Sequence, residues 1–181
     1  MVTIPVTEEL ILRTYEPADA DGLFDAISSN RQHLGPWLDW VSRTMKPEHS
    51  LQFIKQSEQD VRHQQALAMG IFYKGQIIGG LGMHQWDHVV KKAQVGYWLS
   101  REHQGKGILA QCMQPFLSFL FDKLNLNKVE VHFVAANKRS AKVAERMGCR
   151  IEGVLRQGAM RNGVIEDVVI AGLLKNEWKQ G

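Results

Sequence analysis

A glycine-rich segment lies where an apolar, strand-like run meets the start of an amphipathic helix. It reads Gln104-Gly105-Lys106-Gly107, and Ile108 and Leu109 begin the helical pattern. Glycine lets the backbone come close to an anion, while the N–H groups and positive dipole end of the following helix point at the same place. Residues 104–109 are therefore predicted to hold a phosphate, and the ligand is expected to be a phosphorylated cofactor.

The elements on either side of this segment suit a sheet that is opened by an intruding ligand. Residues 93–99 have the pattern of an apolar strand. From Leu109 to Leu124, apolar residues recur with the i, i+3, i+4, i+7 spacing of a buried helical stripe. Pro115 removes one hydrogen bond of that helix, so we expect a kink near residues 111–115.

The rest of the chain predicts an α+β fold. Helices are expected to begin at Pro17 and Pro47, and a short helix over residues 140–147 is expected to end at Gly148. The other predicted strands are residues 9–13, 67–73, 77–86, 129–135, 151–161 and 164–174, the last two joined by a turn at Asn162-Gly163. We predict one domain over residues 1–181, with a mixed, mostly antiparallel sheet, a splayed central strand pair and about four flanking helices.

Composition favours a protein that binds a small ligand. The chain has 181 residues, 44% of them hydrophobic, and a net charge of +3, which is too small for a dedicated nucleic-acid binder but compatible with a polyanionic ligand. No run of 18 apolar residues and no signal-peptide pattern occurs, so we expect a cytoplasmic protein without a membrane partner. Cys112 and Cys149 both lie in apolar patterns and are expected to be reduced and buried.

The glycine-rich segment, together with a second motif, resembles the coenzyme A site of the GNAT superfamily of N-acetyltransferases. The second motif is Asn137-x-x-Ser140, followed by Val143-Ala144 and Gly148. The order of elements matches that superfamily over nearly the whole chain. Within it, the chain is most similar to the ribosomal-protein N-terminal acetyltransferases of RimJ and RimL type.

This resemblance implies the positions of acetyl-CoA. The backbone of Tyr97, Trp98 and Leu99 would contact the pantetheine arm, with Tyr97 and Leu99 bonding to it as to an added strand. The N–H groups of residues 104–109 would hold the pyrophosphate. Asn137 and Ser140 would contact the cofactor from the following element.

Acetyl transfer to a neutral amine requires a base for the amine proton and a donor for the departing sulfur. Many members of the superfamily have a tyrosine donor where this chain has Ala144, and the resemblance implies that the Ser140 hydroxyl replaces it. The carboxylates that often serve as base are replaced by Gln94 and Ala159. The candidates for the base are then His84, Glu102, Asp167 or a water chain ending at one of them, and His84 is predicted as the catalytic one because histidine titrates near neutrality.

Two tryptophans mark the expected acceptor side. Trp37 and Trp40 occupy the loop where the resemblance places acceptor recognition, and they would either cover the amine or pack beneath the first two helices. The predicted reaction moves acetyl from acetyl-CoA to a primary amine, first the N-terminal α-amine of a protein, as in the ribosomal-protein enzymes. A polyamine or an amino sugar is the alternative acceptor. The resemblance also implies a homodimer.

Three other interpretations compete with an acetyltransferase. Gly105-x-Gly107-x-x-Ala110 matches the loose dinucleotide fingerprint, but it follows several strands instead of opening the first βαβ unit, which argues against a nicotinamide enzyme. His84-x-x-x-His88 has no third ligand at a plausible spacing, so no metal site is expected. A coenzyme A-binding module without activity is the third, since the usual glutamates and tyrosine are missing.

Overall fold

Eight strands form one sheet in the computed structural model, which describes residues 1–161 and 163–178. They are β1 (Thr3–Pro5), β2 (Leu10–Thr14), β3 (Leu67–Tyr73), β4 (Gln76–Asp87), β5 (Lys92–Leu99), β6 (Lys128–Val134), β7 (Arg150–Arg161) and β8 (Val164–Leu174). Their order across the sheet is β1-β2-β3-β4-β5-β6-β8-β7. All neighbours are antiparallel except β5 and β6, which are parallel, so the predicted mixed and mostly antiparallel sheet is confirmed.

The predicted strands agree with the observed ones to within one residue at each end, and one strand was missed. The missed strand is β1. It has three residues and only Ile4 of them is buried, so the sequence shows no alternation of apolar and polar residues there. It lies at the sheet edge, where Pro5 is tolerated because no outer strand needs its N–H. Asn162 of the predicted final turn lies outside the described residues.

In the described part of the chain, five α-helices accompany the sheet: α1 (Ala20–Ser29), α2 (Arg31–Leu34), α3 (Pro47–Arg62), α4 (Ile108–Ser118) and α5 (Lys138–Arg146). Four of them have nine residues or more and correspond to the predicted helices, while α2 is one turn that carries no periodic signal. The helix α4 runs through Pro115 and changes to π-helical geometry over Phe119–Lys123. The kink expected near residues 111–115 stays a prediction.

The helices divide between the two faces of the sheet. On one face, which we call the helix α4 face, Met113, Phe116 and Leu117 of α4 and Ala144 of α5 join the main apolar core. On the opposite face, which we call the helix α1 face, Leu23 of α1 and Ile54 of α3 form a second core. Because strand side chains alternate between faces, Val95 and Val131 point to the first core while Trp98 packs with the second.

The sheet opens in its centre. The strands β5 and β6 pair only over Lys92–Gln94 and Lys128–Glu130, and beyond these residues the two strands separate. On their outer sides β5 stays paired with β4 and β6 with β8, so the gap is held open by two intact half-sheets. The predicted splayed strand pair is therefore confirmed.

Candidate active site

A cleft of about 1300 Å³ occupies the gap between the separated strands. Most of the predicted site residues line it: Trp37, Tyr97, Trp98, Leu99, Gln104, Gly105, Gly107, Ile108, Leu109, Asn137 and Ser140. Three predicted residues, Trp40, His84 and Lys106, are absent from its lining. The tertiary structure thus brings residues from four separate stretches of the chain to one place.

One edge of β5 faces the cleft and, among the described residues, has no neighbouring strand beyond Gln94. The Ser100 N–H donates to the Ile78 carbonyl at 2.8 Å, on the β4 side of the strand. The N–H and C=O groups of successive residues in a strand point in alternate directions. The main-chain groups of Trp98 therefore also point to β4, whereas those of Tyr97 and Leu99 point into the gap. These two residues can therefore bond an extended ligand as a further strand would.

The glycine-rich segment has the geometry of an anion site at the end of that edge. Gly105 and Gly107 both have left-handed backbone, with φ of +74° and +75°, and Gly107 is the cap residue of α4. An added Cβ at Gly105 would meet no atom within 4 Å, so the loop faces open space. The first N–H groups of α4 have no partner within the helix and point into this space.

The side chain of Gln104 ties the segment to three other elements. Its Nε2 lies 2.5 Å from His33 Nε2 and 3.3 Å from the Leu99 carbonyl oxygen, and its Oε1 accepts from Arg139 at 3.0 Å. Burial, reinforced by the charges of Arg139 and Arg101, lowers the pKa of His33. A neutral His33 can accept the Gln104 amide hydrogen, so the network holds the loop in place.

Basic side chains of α5 line the same end of the cleft, and sequence reasoning missed them. They are Arg139, Lys142 and Arg146. Their spacing of three and four residues places them along one side of a helix, which is the signal that could have revealed them. Together with the loop they can neutralise a ligand that carries several phosphates, so the residues present fit coenzyme A.

Ser140 lies in the first turn of α5, which begins where β6 ends. The Asn137 side chain caps this helix by accepting the Ser140 N–H at 3.1 Å. The Tyr97 hydroxyl donates to the Ser140 carbonyl oxygen at 3.4 Å, and burial raises the pKa of Tyr97 to about 12. Both main-chain groups of Ser140 are thus engaged, and its half-buried side chain lines the cleft.

The two predicted acceptor tryptophans have different surroundings. Trp40 packs edge-on against Trp98, with ring centroids 6.2 Å apart, and belongs to the second core. Trp37 lines the cleft, and the Arg161 guanidinium lies 4.8 Å from its ring centroid. Arg161 also donates to the Pro36 carbonyl and to Glu166, so β7 is fastened to the loop after α2.

His84 is exposed on β4, on the helix α1 face, outside the cleft lining. Its Cε1 lies 3.6 Å from where a Cβ on Gly96 would be. Desolvation lowers the pKa of His84, and the nearby His132 lowers it further. His132, which lines the cleft, was not among the predicted site residues.

Two further features of the described residues concern the class of site. Within residues 1–161 and 163–178, no three His, Cys, Asp or Glu side chains are grouped as a metal site would need. Among the helices of the described residues, none combines the length and the apolar character that crossing a bilayer requires.

Comparison with known proteins agrees with the geometry. Residues 9–150 match the family model described as the acetyltransferase (GNAT) domain. The chain is 34% identical to the putative ribosomal N-acetyltransferase YdaF of Bacillus subtilis, over 99% of this chain and 98% of that protein. It is 30% identical to the ribosomal-protein-serine acetyltransferase of Escherichia coli, over 92% and 93% of the two chains.

A solved structure shows the same fold with the expected ligand. The microcin C7 self-immunity acetyltransferase MccE, in complex with acetyl-CoA and AMP, has a TM-score of 0.89 and 30% identity, over 93% of this chain and 94% of that one. The family model and these relatives show that the chain belongs to the GNAT family of acetyl-CoA-dependent N-acetyltransferases.

Proposed function

We propose that this enzyme acetylates the N-terminal α-amine of a protein, with a ribosomal protein as the first candidate. The observation that carries the proposal is the similarity to the putative ribosomal N-acetyltransferase, which extends over 99% of the chain and so includes both sides of the cleft. The same acceptor class is named for the relative from Escherichia coli. The proposal assumes that residues 1–181 act as one domain.

Acetyl-CoA supplies the activated acetyl thioester. In the proposed arrangement, the free edge of Tyr97 and Leu99 bonds the pantetheine arm, and the N–H groups around Gly105 and Gly107 hold the pyrophosphate. The geometry that supports this is the left-handed backbone of both glycines and their position directly before α4. The basic side chains of α5 hold the remaining negative charge of the ligand.

Ser140 is the proposed proton donor to the sulfur. When the amine nitrogen bonds to the acetyl carbon and the carbon–sulfur bond breaks, the sulfur gains one proton and the nitrogen loses one. Ser140 is half-buried at the cleft, and the cap of Asn137 and the hydroxyl of Tyr97 hold its backbone in place. A fixed donor of this kind needs no reorganisation during the reaction.

The amine is expected to approach from the helix α1 face, opposite to α4. Trp37 and Arg161 stand at this side of the cleft, and their contact joins the loop after α2 to β7. A flat aromatic ring beside a wide opening suits an extended chain end, because it offers contact area without demanding one side-chain shape. Trp40 then supports Trp98 from behind.

A small-molecule amine is the second candidate acceptor. The observation that favours it is the similarity to MccE, whose solved structure contains AMP beside acetyl-CoA. The guanidinium of Arg161 at the acceptor side is paired with Glu166, so its charge does not distinguish a polyamine from an amino sugar, and both are included in the test.

The deciding experiment is a direct competition of acceptors. The protein is incubated with acetyl-CoA and an equimolar library of peptides with different N-terminal residues, together with spermidine and glucosamine, and the products are identified by mass spectrometry. Acetylation of peptide α-amines, and its loss when the same peptides carry a blocked N-terminus but a free lysine, is the expected result. Exclusive acetylation of a small amine would contradict the proposed acceptor.

A further inference from the structure

His132 stands at the point where the sheet opens. The parallel register pairs Gln94 of β5 with Glu130 of β6, and this is the last pair before the strands separate. Two residues further along each strand, His132 comes opposite Gly96. Both residues line the cleft. The His84 ring stands beside Gly96, with its Cε1 3.6 Å from where a Gly96 Cβ would be.

The ring lies on the side of the sheet from which the amine approaches. Val131 and Phe133, its neighbours in β6, belong to the core under α4. Because strand side chains alternate, His132 points to the helix α1 face. Ser140 is on α5, which packs on the helix α4 face with Ala144. His132 and Ser140 therefore approach the gap from opposite sides.

Glu130 determines which ring nitrogen of His132 can accept a proton. Its Oε2 lies 3.1 Å from His132 Nε2, while its Oε1 accepts from Lys128 at 2.9 Å and from Lys92 at 3.2 Å. Burial alone would raise the pKa of Glu130, but the hydrogen bonds from Lys128, Lys92 and His132 outweigh it and lower the pKa to about 2. An ionised carboxylate can only accept, so Nε2 carries a hydrogen, and in the neutral ring the lone pair is on Nδ1.

We propose that His132 is the general base of this enzyme, that its Nδ1 removes the amine proton, and that Glu130 is the positioning residue that sets its tautomer. The inference rests on the proposed acetyl transfer. As the nitrogen–carbon bond forms and the carbon–sulfur bond breaks, one proton passes from the amine nitrogen to His132 Nδ1, and one passes from the Ser140 hydroxyl to the sulfur. Exchange with solvent then returns both side chains to their starting forms, leaving an amide and a thiol.

This assignment replaces His84 as the base. His84 is exposed, does not line the cleft and has no carboxylate partner, whereas His132 has only a quarter of its side chain exposed and an ionised carboxylate behind it. The two histidines are near neighbours. Kinetics of single variants are therefore needed to separate their roles.

The test compares His132→Ala and His132→Gln with His63→Gln, a matched control because His63 is an exposed histidine at the end of α3, outside the cleft. The acceptor is whichever amine the wild type acetylates best. We expect kcat to fall at least about 100-fold in both His132 variants, while the Kd for acetyl-CoA changes less than about threefold. Added imidazole should restore part of the rate to His132→Ala and none to Ser140→Ala. The His63 variant should match the wild type.

Glu130 is tested by a double-mutant cycle. Glu130→Gln should lower kcat in the wild-type background but have little further effect in His132→Ala, because a positioning residue acts only through the base it positions. An equal loss in both backgrounds would mark Glu130 as merely structural. Nitrogen NMR of the wild type should show the Nε2-protonated tautomer of His132, and the Nδ1-protonated tautomer would contradict the proposal.

Two other outcomes would overturn the assignment: a kcat within about threefold of wild type in His132→Gln, or a larger loss in His84→Gln than in His132→Gln. A failure of the proposed acceptor class is distinguishable from either. If only a small amine is acetylated, the protein acceptor is wrong, and the same amine then serves for the comparison of the His132 variants.

Discussion

The substitution Gly107→Ala is the most direct test of whether the glycine-rich segment binds the pyrophosphate. This residue has φ of +75°, and an L-residue in the left-handed region costs roughly 1–2 kcal/mol. An added Cβ at Gly107 would fit without a clash, since its nearest atom would be Gln111 Nε2 at 3.8 Å. We therefore expect Gly107→Ala to fold, with a Tm lowered by about 2–8 °C for a chain of this size.

The effect on ligand binding should be larger than the effect on stability. Relief of the backbone strain rotates the peptide groups next to Gly107 and turns one N–H away from the phosphate. A hydrogen bond to a charged group contributes about 1.5–3 kcal/mol, and each 1.4 kcal/mol is tenfold in affinity, so the Kd for coenzyme A should rise about 10-fold to 150-fold. Isothermal titration calorimetry measures this Kd without dependence on turnover.

Gly75→Ala is the matched control. Gly75 has φ of +78° in the turn between β3 and β4, an added Cβ there would meet nothing within 4 Å, and the residue does not line the cleft. The variant should lose a similar amount of stability and bind coenzyme A as the wild type does. Equal affinities in both variants, with equally lowered Tm values, would refute a phosphate site at the glycine-rich segment.

Three further predictions concern the surroundings of the cleft. Ser140→Ala should lower kcat by about 100-fold or more with little change in the Kd for acetyl-CoA, measured by steady-state kinetics and calorimetry; an unchanged rate would remove the hydroxyl from the mechanism. Asn137→Ala removes the cap of α5 and should lower the free energy of unfolding by about 1 kcal/mol in denaturant titrations. Because the pKa of Glu130 is lowered from 4.5 to about 2, its carboxylate stabilises the fold above pH 4.5 and loses this effect, worth roughly 3 kcal/mol, as the pH falls toward 2. Acid unfolding of Glu130→Gln should lack that dependence, and identical pH profiles would contradict it.

Local patterns were sufficient for most of the elements. Strand β3 was predicted with its observed ends, and α3 begins at Pro47 as expected, because proline fits the first turn of a helix. The single turn of α2 and the three residues of β1 are too short to produce a period, and only their contacts stabilise them.

The candidate site was predictable in part. The glycine-rich segment acts through backbone conformation, so residues 104–109 carry their own signal. Trp37 and Trp40 have the same residue type and nearly the same place in the sequence, yet one lines the cleft and the other packs on Trp98. Arg161, more than 100 residues away in the sequence, lies against the Trp37 ring, a contact that local spacing does not reveal.

The sequence by itself indicated the family, most of the elements and the position of the glycine-rich segment, because each of these depends on residue types at fixed local spacing. Only the tertiary structure decided where the sheet opens, since the parallel register of β5 and β6 joins residues 36 positions apart. It also decided the surroundings of the two histidines. His84 and His132 are both strand histidines in the sequence, but only His132 lines the cleft with a buried carboxylate against its ring. Burial and partner charge decide how an imidazole behaves, and both come from residues that the fold brings together.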